Sequence, residues 1–308
     1  MIRILAFPGL LPLARRIAAL SHGRAEPIDI HRFPDGESLV TLPNGMAGQD
    51  VAMLATLKDP DHLALPLRFA AETARELGAR SVGLIAPYLA YMRQDRRFSP
   101  GQAVSAPLFA CFLEQSFDWL VTADPHLHRI HALSALFKIP AHRIETAPLL
   151  AEWIAANVTD AVLLGPDSES RQWVAQVARL ADRPFEVLEK HRSGDRDVMI
   201  SVPHGEALLA GTPVILDDIA SSGRTLIQAI ERLCAAGARP PVCLVIHAVF
   251  ADNAHADILA AGAARVVTTD SIPHVTNAIS LAQALADAAR DLQAGNPSAR
   301  RAEARTTR

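Results

Sequence analysis

Short apolar runs rich in β-branched residues recur along the whole chain. They include "IRILAF" (2–7), "DVAMLATL" (50–57), "SVGLIAPY" (81–88), "DWLVTADPH" (118–126), "AVLLGPD" (161–167), "FEVLEK" (185–190), "DVMISV" (197–202), "PVILDDIA" (213–220), "VCLVIHAVF" (242–250) and "ARVVTTDS" (264–271). Continuous rather than alternating apolar character marks a strand buried on both faces. Between many of these runs lie segments with helical periodicity, such as 62–79 and 225–238. Each of those two ends at Gly-Ala just before the next strand. Strand, helix, strand, repeated, predicts an α/β chain whose mainly parallel sheets carry helices on both faces. The 308 residues suit one large α/β domain or two of ordinary size, and half of them are apolar, enough for a sizeable core.

The chain reads as two similar halves. In each, strands end in polar clusters: "APYLAYMRQDRR" and "TADPH" in the first, "GPDSES" and "DDIASSG" in the second. Ligands of open α/β sheets bind beyond the carboxyl ends of strands, so these clusters sit where chemistry belongs. A boundary falls near "KIPAHRIETAP". The expected domains are 1–145 and 146–290, followed by a polar, basic tail over 291–308 that lacks periodicity and is expected to be disordered.

The most informative stretch is "PVILDDIASSGRTL", residues 213–226. A buried strand runs directly into Asp217 and Asp218, two carboxylates that repel each other and lose hydration. Ser221, Ser222, Gly223 and Thr225 then open a helix. Small residues let backbone N–H groups face outward, and a helix N-terminus favours an anion, so this is a phosphate cradle. The acids upstream can accept hydrogen bonds from vicinal hydroxyls. A sugar carrying one phosphate matches both parts. No GxxxxGK occurs, so the loop is not a Walker P-loop.

Four more stretches narrow the reading. "RFPDGE" (32–37) is a turn between two strand-like runs. In "PYLAYMRQDRR", guanidinium forks suited to polyphosphate oxygens follow a pair of tyrosines. "TADPHLHRIH" places Asp124, His126, His128 and His131 at a strand end. Three histidines admit a zinc reading, but Asp124 and His126 suit a magnesium–nucleotide site better. "LEKHRSGDRDVMI" (188–200) reads as a charged loop between two strand-like runs.

The acid-pair loop resembles the phosphoribosyl pyrophosphate loop of the type I phosphoribosyltransferase fold. Taken in order, the "FxDGE" turn, "PYxxYxRQDR", "DxH", "PD" after a strand, "KxR", "DDI…GxT" and "TxSI" are together similar to the ribose-phosphate pyrophosphokinase family, over roughly residues 1 to 290. The resemblance implies two phosphoribosyltransferase-type domains. It implies transfer of the β,γ-diphosphoryl group of Mg-ATP to the 1-hydroxyl of ribose 5-phosphate, giving AMP and 5-phosphoribosyl 1-diphosphate (PRPP). On this reading Phe33, Asp35 and Glu37 hold adenine, in part from a neighbouring subunit of a homo-oligomer, and Arg93, Gln94 and Asp95 line the ATP site. His126 and Asp167 orient Mg2+. Asp217 and Asp218 take the ribose hydroxyls, and Ser221, Ser222, Gly223, Arg224 and Thr225 cradle the 5-phosphate. Lys190 and Arg192 form a mobile catalytic pair. Departures mark a divergent branch: Ser221 where many members have Asp, Arg224 where many have Gly, and Arg171 and Trp173 after Asp167. A catalytically silent regulatory subunit and a PRPP-using phosphoribosyltransferase remain as other readings.

The remaining composition excludes more than it selects. Net charge is −3, with no long basic tract before the last residues, so no nucleic-acid partner and no membrane surface are expected. No run of about 18 apolar residues occurs, and the N-terminus reads as a first strand rather than a leader. Cys111, Cys234 and Cys243 form no CxxC pair and read as reduced core residues of a cytoplasmic protein.

Overall fold

A computed structural model describes residues 1–127, 129–130, 132–193, 197–201 and 205–295. The chain divides into two compact units, one formed by Met1–Ile144 with the segment from Leu281 on, the other by Glu145–Ser280.

In the first unit the elements are β1 (Ile2–Ala6), α1 (Leu11–Leu20), β2 (Arg24–Pro27), β3 (Asp29–Arg32), β4 (Ser38–Thr41), β5 (Asp50–Leu54), α2 (Pro60–Glu76), β6 (Ser81–Ala86), α3 (Ser105–Glu114), β7 (Trp119–Ala123) and β8 (Ala141–Ile144). Six strands form one parallel sheet in the order β2-β1-β5-β6-β7-β8. The strands β1, β5, β6 and β7 are buried along their full length, as the continuous apolar runs require. Arg3 is the exception on β1: its buried guanidinium pairs with Glu26 of β2 at 2.6 Å and donates to the Gly45 carbonyl at 2.8 Å. A buried charge is tolerable only when paired in this way. β3 and β4 form a separate antiparallel hairpin.

The second unit contains α4 (Ala147–Asn157), β9 (Ala161–Gly165), α5 (Arg171–Ala181), β10 (Phe185–Val187), β11 (Glu189–Ser193), β12 (Asp197–Ser201), α6 (Gly205–Ala210), β13 (Thr212–Ile219), α7 (Arg224–Ala235), β14 (Val242–His247), α8 (Ala254–Ala260), β15 (Arg265–Thr269) and β16 (Asn277–Ile279). Its parallel sheet has the order β10-β9-β13-β14-β15-β16. Alternation along the strands sorts the core into two layers. Val214, Leu216, Leu244 and Ile246 pack with Leu150, Ile154, Val174 and Val177 of α4 and α5. Ile215, Cys243 and Val245 pack with Leu226, Ile230 and Ile258 of α7 and α8. The sheet is thus covered on both faces.

The last helix, α9 (Ala282–Gly295), returns to the first unit, where it packs on α1, β7 and β8. Gln293 donates to the Asp50 carboxylate at 2.6 Å. Burial alone would raise the Asp50 carboxyl, but hydrogen bonds from Arg80, Ser81 and Gln293 and the Arg80 charge hold it below its ordinary value.

Four expectations are corrected here. Residues 281–290 belong with the first unit, not the second. Residues 291–295 are helical because α9 buries Leu285, Ala286 and Ala289 against that unit; residues 296–308 lie outside the described residues. Lys190 and Arg192 lie within β11, paired with Ile200 and Val198 of β12, rather than in a loop. Cys243 is buried as expected, whereas Cys111 and Cys234 are exposed. Both stand on solvent-side positions of amphipathic helices, where local apolar neighbours do not report burial.

Gly83 of β6 lies opposite Trp119 of β7, and a Cβ there would come within 2.0 Å of the indole ring. Trp119 is buried and cannot swing away. Gly83→Ala is expected to lower stability by about 1–3 kcal/mol through overpacking, read as a fall in the urea midpoint at unchanged m. An unchanged midpoint would show that the indole has room to shift.

Candidate active site

β13 outruns its neighbour: its pairing with β9 stops at Ile215, so Asp217 and Asp218 stand past the end of β9 at the carboxyl edge of the sheet. This is also where the chain order reverses. β10 was laid outside β9, and β13 continues on the other side of β9. Crevices at such reversals are the usual ligand sites of open α/β sheets. Asp167 sits in the turn that follows β9. Ser170 donates to it from both the backbone N–H (3.1 Å, to Oδ1) and the hydroxyl (2.6 Å, to the carbonyl). Burial is the main force pushing the Asp217 carboxyl well above its ordinary value; the adjacent Asp218 and the charge of Asp167 add to it. The three acids therefore sense one another. Asp217 also acts on the buried Cys243 of β14, whose thiol is pushed up to about 12, mainly by burial.

The cradle follows at once. Gly223 is the N-cap of α7 and takes the left-handed conformation (φ 70), which a side chain resists. A Cβ at Gly223 would also press within 3.0 Å of Ile258 on α8. No side chain caps the first turn of α7, so its N–H groups remain available for an anion. The loop is held from behind: Phe250 N–H donates to Ala220 O (2.8 Å), and Ala251 N–H donates to Ser221 O (3.1 Å). Residues 250–251 carry no sequence pattern announcing this support. Ser222 and Arg224 are exposed, and Ser221 is half-buried.

In the first unit the tip of the β3–β4 hairpin is tightly built. Phe33 N–H donates to Glu37 O and Gly36 N–H to Phe33 O, both at 2.9 Å, and Glu37 N–H donates to Asp35 Oδ1 at 3.1 Å. His31 packs edge-on against Phe33, whose ring is still 41% exposed. After β6, Gln94 accepts from the Ser105 hydroxyl, and its carbonyl accepts Ala106 N–H at 3.2 Å. The Asp95 side chain is only 3% exposed and pairs with Arg129 at 3.1 Å, a partner that sequence reasoning did not supply. Arg93 and Gln94 are exposed. His126 is half-buried past β7, while Asp124 is engaged by Arg143 at 2.9 Å. His128 and His131 lie outside the described residues. Of Lys190 and Arg192 only the strand position is described.

Among the described residues, no group of three or more His, Cys, Asp or Glu side chains converges to hold a metal ion. Magnesium needs less: it keeps several waters and is held by one or two carboxylates together with substrate phosphates. The oxygen donors of Asp167, Asp217 and Asp218 fit that chemistry. Among the described residues, no helix is long and apolar enough to cross a membrane.

Two family models match: the N-terminal domain of ribose phosphate pyrophosphokinase over residues 2–116 and the phosphoribosyl transferase domain over residues 132–283. The chain is 32% identical to the ribose-phosphate pyrophosphokinase of Methanopyrus kandleri over 291 residues, 94% of this chain and 99% of that one. It is 33% identical to that of Halobacterium salinarum over 278 residues, 90% of this chain and 96% of that one. Its fold matches the crystal structure of phosphoribosylpyrophosphate synthetase from Mycobacterium smegmatis with a TM-score of 0.82 at 21% identity, covering 96% and 99% of the two chains. The chain belongs to the ribose-phosphate pyrophosphokinase family, whose members are transferases of diphosphate groups.

Folding raises the Asp217 carboxyl above its unfolded value of about 3.9, so the folded protein retains a proton that the unfolded chain has released. Ionising Asp217 therefore subtracts stability as pH rises above about 4, and the loss is fully present above the raised folded value. Asp217→Asn is expected to raise the thermal midpoint of the ligand-free protein at pH 8, with the gain shrinking towards pH 4. A variant no more stable than the parent at pH 8 would show that the carboxylate bears no such penalty.

Proposed function

We propose that the chain transfers the β,γ-diphosphoryl group of ATP, with Mg2+, to the 1-hydroxyl of ribose 5-phosphate, yielding AMP and PRPP. The observation that carries this reading is the acid pair set directly ahead of an uncapped helix N-terminus at the carboxyl edge of β13. Asp217 and Asp218 accept hydrogen bonds from the two vicinal ring hydroxyls. The N–H groups of residues 222–225, with the Ser221, Ser222 and Thr225 hydroxyls and the Arg224 guanidinium, take the 5-phosphate. Held at both ends, the sugar has its 1-hydroxyl fixed for in-line attack, which is the main service a phosphoryl-type transfer asks of a protein.

Lys190 and Arg192 neutralise charge on the diphosphoryl group as it moves. Phe33 stacks on adenine; Asp35 and Glu37 complete the tip that presents it. Arg93 and Gln94 face the nucleotide, and Asp95 acts through Arg129. Asp167 and His126 hold and orient the magnesium, which when bound shields phosphate charge and makes the departing AMP a better leaving group. Retention of the catalytic and sugar-binding residue types argues against the regulatory reading. The match to the pyrophosphokinase N-terminal domain argues against a phosphoribosyltransferase. The exposure of Phe33 at the hairpin tip supports a homo-oligomer in which this tip serves the ATP site of a neighbouring subunit.

Three measurements test these roles. AMP release from ATP is expected to require ribose 5-phosphate. Lys190→Ala is expected to lower kcat by roughly 100-fold or more while ribose 5-phosphate binding stays within about threefold; wild-type-like turnover would remove Lys190 from the machinery. For the shared site, Phe33→Ala and Lys190→Ala are each expected to be weakly active alone and to regain activity when refolded together, because mixed assemblies contain sites with both side chains intact. A mixture no more active than its parts would indicate self-contained sites.

A further inference from the structure

The two sheets share one strand order, so β5 of the first unit corresponds to β13 of the second, and α2 corresponds to α7. The N-caps agree in an unusual way: Gly223 before α7 has φ 70, and Asp59 before α2 has φ 57, both left-handed. The chemistry is inverted. Where α7 opens with Gly223, Arg224 and Thr225, α2 opens with Asp59, Pro60 and Asp61. Two carboxylates at that helix end repel a phosphate and complement the positive end of the helix dipole themselves. The first unit therefore keeps the geometry of the cradle and has lost its ligand.

What occupies this end is Tyr91. Its hydroxyl donates to Asp61 Oδ1, and its ring packs on Phe109 of α3 at 4.8 Å. The hydrogen bond to Asp61, partial burial and the charges of Asp61 and Asp59 push the phenol up to about 12, so it remains a donor at any working pH. Tyr91 itself has φ 66, a conformation that is a true outlier for a bulky aromatic. Such strain persists only where surroundings over-determine it. Its carbonyl accepts Gln94 N–H at 3.0 Å, and Leu57 N–H donates to Tyr88 O at 3.0 Å, so the loops after β5 and β6 are cross-braced twice.

We propose that the Asp61–Tyr91 pair is a positioning device for the nucleotide: the disused cradle of the first unit holds Tyr91 in its strained conformation, and the strained turn sets the direction in which Arg93 and Gln94 leave β6. This rests on the assignment of Arg93 and Gln94 to ATP made above. Relaxing the turn lets the segment swing without removing any group that touches substrate.

The test is steady-state kinetics on the full-length protein, varying ATP and ribose 5-phosphate separately. The variants are Tyr91→Phe, Asp61→Ala, their double, Asp61→Asn and Arg93→Ala. Tyr91→Phe and Asp61→Ala are each expected to raise KM for ATP about tenfold, the scale of losing a hydrogen bond to a charged acceptor, with KM for ribose 5-phosphate within about twofold. The double variant is expected to be no worse than either single, because both remove the same interaction. Asp61→Asn keeps an acceptor oxygen and is expected to restore near-parental ATP kinetics. An Arg93→Ala effect on ATP without one from Tyr91→Phe overturns the positioning role alone. Additive single effects, or equal losses for both substrates alongside a lowered thermal midpoint, overturn it in favour of plain structural support. No effect of Arg93→Ala on ATP overturns the nucleotide assignment and this proposal with it.

Discussion

A parallel strand has no short way home: each must be followed by a crossover, and in this chain most crossovers carry a helix, those of the second sheet covering both of its faces. With its faces sealed by apolar packing, a sheet of this kind has only its edges and ends left for polar chemistry. The carboxyl ends carry it here. Asp167 follows β9, Asp217 and Asp218 finish β13, the Arg93–Asp95 segment follows β6, and His126 follows β7. The side chains assigned above to the reaction are thus placed by the hydrogen-bond register of the strands beneath them. β13 runs on past Ile215, its last residue paired to β9 (with Leu164), and so carries Asp217 to the rim. A one-residue slip would turn Asp217 towards α4 and α5 and Asp218 towards α7.

The shared strand order shows one architecture used twice with divergent loops. In the second unit the turn after the third strand of the sheet is made of small residues and opens a bare helix end. In the first, the corresponding turn carries acids and is tied to an aromatic side chain. Both N-caps take a positive φ, and the larger difference between the two helix ends is in side-chain chemistry. Fold and function are separable here residue by residue: a left-handed N-cap makes an anion site only when its neighbours leave the N–H groups bare.

Much of this was legible in the sequence, for identifiable reasons. Strands buried on both faces announce themselves as unbroken apolar runs, and all of the central strands fall within such runs. The strands β2, β8 and β16 do not, because an edge or short strand such as "RAEP" or "AHRI" buries too little to impose a pattern. The acid pair and the cradle are contiguous in sequence, so local chemistry sufficed to find them. The pairing of Asp95 with Arg129, the bracing of the cradle by residues 250–251 and the tie from Asp61 to Tyr91 join positions that sequence spacing does not connect. The return of α9 to the first unit was hidden for a similar reason. Its amphipathic pattern predicts a buried face without naming the surface that buries it; the packing on α1, β7 and β8 and the hydrogen bond from Gln293 to Asp50, 243 residues apart, identify that surface.

Asp217 is burdened by burial, by Asp218 and by Asp167, and a fold selected for stability alone has no use for that arrangement. On the function proposed above, two ring hydroxyls would donate to the pair, and a divalent cation beside Asp167 would offset the repulsion among the acids. Anything that binds the folded site and not the unfolded chain would then add stability through the same three acids. On the same reading, Arg224 at the start of α7 would add positive charge on the phosphate side and leave the repulsion among the acids to the metal.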